Sequence, residues 1–251
     1  MSLGGLDNLL GSKNQIVILG YHSISEDGWT YSVKFKDLEE QLFFMLKNFS
    51  PVTLGDIEEH VYKGKKLPIP AFAVTFDDGY KDIYKTRNLL KQLKIKPTVF
   101  LLADPQRANR KTLANNKPLL TEKEIKDLIK DGWEIGSHTI THEIVSGKSN
   151  PNLIEEIAKS KKILEKKFGN IKYFSYPKGR YDQDSINIVK NAGYKLAFAA
   201  TDEKVTSDSN KFLISRVGVD GTHSFKEFIH LFSPSAMNFR KFAKLFIGKY
   251  L

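Results

Sequence analysis

Asp77 and Asp78 stand side by side at the end of the apolar run Ala71-Phe72-Ala73-Val74-Thr75-Phe76, and two imidazoles follow in Ser137-His138-Thr139-Ile140-Thr141-His142. These are the donor types of a mononuclear metal hydrolase. Two His and one Asp hold the ion and leave a coordination position open, where water is activated and a substrate carbonyl polarised.

The elements that must position these groups can be read from pattern. The run before Asp77 is short, apolar and without helical periodicity, so it predicts a buried strand with Asp77-Asp78-Gly79 at its carboxyl end. Two like charges side by side in such a place each lose hydration and repel the other, so a cation or hydrogen-bond donors must compensate. Neighbours on an extended chain point to opposite sides, which assigns metal binding to one carboxylate and proton handling to the other without saying which. Gly79 permits the tight turn out of the strand. The segment 133–138 predicts a second strand with His138 at its end, and helical continuation would put His138 and His142, four apart, on one face.

Thr75-Phe76-Asp77-Asp78-Gly79, His138-Thr139-Ile140-Thr141-His142 and Tyr176-Pro177-Lys178-Gly179 together resemble the polysaccharide deacetylases of carbohydrate esterase family 4, with the NodB homology domain. The resemblance runs from about Val17 to Phe228. The opening Gly20-Tyr21-His22-Ser23-Ile24 and closing Ser215-Arg216-Val217-Gly218-Val219 look most like the branch acting on poly-N-acetylglucosamine. The resemblance implies that Asp77 is the general base and that Asp78, His138 and His142 hold the metal. It implies hydrolysis of the acetamide of an N-acetylated amino sugar in a polysaccharide or glycolipid, with metal-bound water attacking the carbonyl. The backbone N–H of Lys178 would hold the oxyanion, and Tyr176 and Pro177 are expected at the substrate. Zinc is the expected metal, with Co, Ni or Fe able to occupy the same donors.

The chain departs from that pattern in two places. Ser175 stands where relatives often carry an Arg that contacts the base, and Arg216 is the candidate replacement, a structural Arg at a strand end being the alternative. The usual late Leu-x-His that supplies the general acid is missing. His22, which follows the apolar run 16–19, is the candidate there, against a structural His hydrogen-bonded beside the site. His223 reads as a loop residue, and His60 and His230 fall in helical patterns.

The organisation fits an irregular seven-stranded, TIM-barrel-like α/β barrel of the NodB type. Strand-like runs at 16–21, 72–76, 98–102, 133–137, 173–176, 196–200 and 213–217 alternate with helical stretches at 36–47, 80–93, 122–130, 153–168 and 182–191. Thr121 and Asn150-Pro151 read as helix caps. In such barrels the active site lies at the carboxyl ends of the strands, where Asp77, Asp78 and His138 fall. The 251 residues suit one domain, with 235–251 as a basic amphipathic tail. The polar segment 104–117, with Arg107, Arg110 and Lys111, reads as a loop on the metal face.

A formal net charge of +10 favours anionic surroundings, but no basic–aromatic array points to nucleic acid. Phe239, Phe242 and Phe246 share one helical face opposite cations, a pattern that suits either a docked terminal helix or peripheral membrane contact. There are no cysteines, no apolar stretch long enough to span a bilayer, and residues 3–10 are too short for a signal peptide and carry no basic residue. The family points to the cell envelope, the sequence as given to the cytoplasm. A small-substrate metal amidohydrolase and a binding-only glycan relative are the competing readings. A two-carboxylate glycosidase is a weaker reading, because adjacent Asp77 and Asp78 cannot flank a glycosidic bond with the required separation.

Overall fold

The computed structural model of the chain describes residues 15–109, 111, 113, 117–147, 152–201 and 205–231. Its elements begin with β1 (Ile16–Tyr21), β2 (Ser23–Ile24), β3 (Ser32–Val33), α1 (Phe35–Asn48), β4 (Ser50–Pro51) and α2 (Leu54–Lys63). They continue with β5 (Ala71–Phe76), α3 (Arg87–Gln92), β6 (Thr98–Leu101), α4 (Glu122–Lys130), β7 (Glu134–Ser137) and α5 (Ser160–Phe168). The last are β8 (Tyr173–Ser175), α6 (Gln183–Asn191), β9 (Leu196–Ala199), β10 (Ile214–Ser215), β11 (Val217–Gly218) and α7 (Phe225–His230).

The main sheet runs β10-β9-β8-β7-β6-β5-β1-β11, with every pairing parallel. Because β10 and β11 are successive in sequence and flank Arg216, the path returns on itself and closes a barrel. Counting β10 and β11 as one broken stave gives the seven expected. The single strand predicted at 213–217 is therefore split at Arg216, β10 before it pairing with β9 and β11 after it with β1.

Alternation along the strands sorts the core into two layers. Ile16 and Ile18 of β1, Ala71 and Ala73 of β5, Phe100, Phe198 and Ile214 form an inner cluster, joined by Leu54, Ile57 and Val61 of α2. Val17, Leu19, Tyr21, Phe72, Val74 and Phe76 join the larger cluster formed with the surrounding helices. Both faces of β1 and β5 are buried throughout, which is why these strands read as unbroken apolar runs. Continuing the inner face past β1 and β5 leads to His22 and Asp77, and past β7 to His138.

Helix starts follow their capping residues. Thr121 and Glu124 form a reciprocal capping box at α4, as do Asp182 and Ser185 at α6. α2, which carries His60 in the helical pattern expected of it, starts on the same box, formed by Thr53 and Asp56. The stretch 80–93 divides into a 3₁₀ segment, Lys81–Thr86, and α3, and the stretch 153–168 opens with π-helical Glu155–Lys159. The Asn150-Pro151 cap, residues 3–10 and the amphipathic tail 235–251 lie outside the described residues. Among the described residues no helix is long and apolar enough to cross a membrane.

Candidate active site

A cavity of about 370 Å³ opens at the carboxyl ends of the strands, lined by His22, Tyr31, Asp77, Asp78, His138, His142, Lys178 and Arg216 among others. The two carboxylates reach it by different routes. Asp77 continues the inner face of β5, two residues after Thr75. Asp78 is not extended, with a left-handed φ of 67°, so the backbone turns there and both side chains serve one cavity. This corrects the expectation of opposite sides; what separates the two carboxylates is their electrostatic surroundings. Gly79 completes the turn at φ 74°, and a Cβ there would stand 2.6 Å from Leu101.

Arg216 holds Asp77 in a two-pronged grip. Nη1 donates to Oδ1 at 2.8 Å and Nη2 to Oδ2 at 2.6 Å, while the same nitrogens donate to Thr75 Oγ1 and Ser175 Oγ. The guanidinium lies over the rings of Phe100 and Phe198, inside the barrel. Burial alone would raise the Asp77 carboxyl, but Arg216 overrides it and keeps the group well below the usual carboxylate range. Thus Ser175 does not leave Asp77 without a partner. The Arg arrives instead from the stave that closes the barrel, and Ser175 accepts one of its hydrogen bonds.

Asp78 has the opposite environment. It is buried, and its Oδ1 accepts no hydrogen bond, yet it lies 3.4 Å from His138 Nε2 and 3.3 Å from His142 Nε2. Burial and then the neighbouring Asp77 charge push its carboxyl up to about 8. Burial lowers both imidazoles, His138 to about 4 and His142 to about 2, so both are neutral at physiological pH. His138 Nδ1 lies 2.7 Å from the Ser175 carbonyl, which makes Nδ1 the protonated nitrogen and leaves the Nε2 lone pair facing Asp78. One donor atom each from Asp78, His138 and His142 lies within 4.8 Å of the others. Two neutral nitrogens and an orphaned buried carboxylate oxygen converging on one point fit a divalent cation.

The loop that brings His142 to His138 is not the helix expected. Thr139 and His142 are left-handed, at φ 70° and 66°. The buried Glu156 carboxylate accepts from the N–H of Ile140, the N–H of Thr141 and the Thr141 hydroxyl. On the other side the carbonyls of Thr139, Ile140 and Thr141 accept from the N–H groups of Ala103, Asp104 and Asn109. With both edges of its backbone occupied from outside, the segment has no need of helical hydrogen bonds. The stretch after β6, expected as a loop on the metal face, is therefore a support for the ligand loop.

The remaining predicted residues divide. His22 lies in the cavity, with Nδ1 sealed from solvent and unpartnered, and burial lowers its pKa. Lys178 lines the cavity from the turn Pro177–Gly179, in left-handed backbone at φ 56°. Tyr176 and Pro177, expected at the substrate, are buried and do not line the cavity. Tyr176 packs between Phe174 and Tyr181 and so supports the Lys178 turn. His223 sits in its loop, where Nδ1 accepts from the Asp220 N–H. Sequence reasoning missed Glu156 and Tyr31. Nothing local marks Glu156, whereas Tyr31 could have been flagged as an aromatic in a polar loop.

The family model for polysaccharide deacetylase matches residues 64–197, and the chain belongs to that family, hydrolases acting on carbon–nitrogen bonds. It is 29% identical over 208 residues to the putative polysaccharide deacetylase YxkH of Bacillus subtilis, a match covering 82% of this chain and 71% of that protein. It is 28% identical over 211 residues to the poly-beta-1,6-N-acetyl-D-glucosamine N-deacetylase of Staphylococcus aureus, covering 78% of this chain and 71% of that one. In fold it is similar to IcaB from Ammonifex degensii, with a TM-score of 0.75 and 20% identity over 89% of this chain and 97% of that one. The Streptococcus pyogenes deacetylase PplD in complex with acetate gives 0.73 and 20% over 89% and 100%.

Proposed function

We propose that the protein is a metal-dependent N-deacetylase that hydrolyses the acetamide of N-acetylated amino sugars in a polysaccharide or glycolipid, with a poly-N-acetylglucosamine as the favoured class. The observation that carries this reading is the contrast between the adjacent carboxylates: Asp77 saturated by Arg216, Asp78 left with a bare oxygen between two imidazole nitrogens. The name of the S. aureus relative supports the substrate class.

Asp78, His138 and His142 would hold the metal, zinc first among the candidates. A divalent ion there supplies Lewis acidity, polarising the acetamide carbonyl and making water nucleophilic at neutral pH. Asp77, kept ionised by Arg216, takes a proton from the attacking water at its carboxylate. The grip fixes the direction in which that carboxylate presents itself. The backbone N–H of Lys178 stabilises the charge developing on the carbonyl oxygen. His22, half-buried in the same cavity as Asp77, is the candidate to relay to the leaving amine the proton that Asp77 takes from water, so that water and amide become acetate and free amino sugar. Arg216 and Ser175 position the base without touching the reacting atoms.

Acetate release from N-acetylglucosamine oligomers tests the reading, comparing zinc-loaded parent with an Asp77→Asn variant. The parent should release acetate, and the variant should keep its zinc while kcat falls about 10²- to 10⁴-fold. Equal rates would remove Asp77 from proton transfer, and no release by the zinc-loaded parent would overturn the substrate class.

A further inference from the structure

A turn closed by i→i+5 hydrogen bonds is one residue wider than an α-turn, and such turns inside α-helices concentrate at functional sites. Glu155–Lys159 is one, and it runs directly into α5, which packs on β7. Its first buried residue, Glu156, reaches the loop between His138 and His142. Oε2 accepts from the N–H groups of Ile140 at 2.9 Å and Thr141 at 3.0 Å, and Oε1 accepts from the Thr141 hydroxyl at 3.0 Å.

The same turn is anchored a second time. The Ile157 carbonyl accepts two hydroxyls, Ser160 Oγ at 2.8 Å and Tyr194 OH at 3.1 Å. Ser160 Oγ in turn accepts from Ser137 Oγ at 2.8 Å, and Ser137 is the residue before His138. Ser137, Ile157 and Ser160 are all fully buried. One π turn thus holds both imidazole-bearing positions, the strand end through Ser160 and Ser137 and the left-handed loop through Glu156.

We propose that Glu156 is a positioning residue that presets the separation of His138 and His142, and with it the metal affinity of the site. The inference rests on the metal-site reading above and deepens it. Among the described residues the donor cluster is Asp78, His138 and His142, so Glu156 acts through backbone N–H groups rather than as a ligand. Residues 138–142 have helical spacing, yet Thr139 and His142 stand in left-handed backbone, which residues other than glycine hold only where the surroundings over-determine it. A carboxylate that collects two adjacent N–H groups and a hydroxyl supplies that determination through charge-assisted hydrogen bonds. Without it the N–H groups take other partners and the loop relaxes. The imidazoles then leave the arrangement, 5.0 Å between ring centres, in which both Nε2 atoms face Asp78. A donor set already arranged loses little conformational entropy when the ion arrives.

Cobalt(II) is the probe, because its visible d–d bands report the arrangement of its donors. Metal-free parent and variants are titrated with it, reading both affinity and spectrum. Glu156→Leu removes every acceptor and should weaken cobalt about 10- to 100-fold and alter the bands at saturation. In Glu156→Gln the amide oxygen can take both N–H groups while the nitrogen donates to the Thr141 hydroxyl, so cobalt should bind within about threefold of the parent and with the parent's bands. Glu156→Asp withdraws the carboxylate by one methylene and should fall between, about fivefold weaker, and it carries the test if Glu156→Leu does not fold. Glu134→Gln, a change at the opposite end of the barrel, is the control for a merely structural loss and should keep the parent's affinity and bands. The proposal is overturned by Glu156→Leu, or Glu156→Asp in its place, binding within twofold of the parent with the parent's bands. It is equally overturned by Glu156→Gln losing as much affinity as Glu156→Leu, or by Glu134→Gln losing as much as Glu156→Asp. No cobalt binding by the parent would overturn the metal site itself, and this inference with it.

Discussion

The two ends of the barrel treat a carboxylate withdrawn from solvent in opposite ways. At the amino-terminal end, Glu134 opens β7, and its oxygens accept from the N–H groups of Leu54 and Gly55 at the start of α2 and from the Thr98 hydroxyl. The charge there is consumed internally: it caps a helix and joins α2 to β6 and β7. At the carboxyl-terminal end, Asp78 is buried more deeply than Glu134 yet keeps an oxygen with no donor, facing nitrogens that are themselves neutral. An unmet buried acceptor costs about 1–3 kcal/mol, and the fold carries that cost at the end where a cation would relieve it.

The sharpest way to break this comparison is to make the Asp77 grip resemble Asp78. Arg216→Met keeps roughly the side-chain volume over Phe100 and Phe198 but strips Asp77 of both prongs. Leaving the carboxylate buried without its partner should cost about 3–5 kcal/mol in urea denaturation. Stability unchanged within 1 kcal/mol would mean that Asp77 does not depend on the grip. A smaller loss is expected at the opposite end. Glu134→Gln turns one acceptor into a donor facing a donor, lowering stability by about 1–3 kcal/mol. Zinc affinity should stay within about twofold, since second-sphere effects on a metal are local. A large drop in zinc affinity would show that the two ends are not independent.

The least disruptive test uses pH. With its carboxyl raised to about 8, Asp78 holds a proton in the metal-free protein at neutral pH, while the lowered imidazoles hold none. Metal must displace that proton. Zinc affinity should therefore rise by about tenfold per pH unit up to about pH 8 and level off above it, with about one proton released per ion at pH 7. Calorimetry in buffers of differing ionisation heat reads this directly, and release of two protons would place a charged imidazole in the metal-free site.

Much of this was legible in the sequence because strand ends are local signals. The apolar runs before Asp77 and His138 stop abruptly at polar residues, and that placed Asp77, Asp78 and His138 at one mouth of a barrel. What was not legible depended on distant contacts. Residues 138–142 have helical spacing, and only Glu156 and the N–H groups of Ala103, Asp104 and Asn109 make them a loop. Arg216 shows no local mark distinguishing a strand-end cation from the partner of Asp77, because its role follows from barrel closure. Tyr176 reads as part of a motif, and its burial behind the Lys178 turn appears only when β8 and β9 are packed together.

The central claim is that the bare oxygen of Asp78 is a place for a metal, and zinc binding tests it most directly. Calorimetric titration of the metal-free protein should give one zinc per chain, and Asp78→Ala should bind at least about a hundredfold more weakly while staying folded, since a three-donor site loses its only charge. Equal affinity in parent and Asp78→Ala would contradict the account.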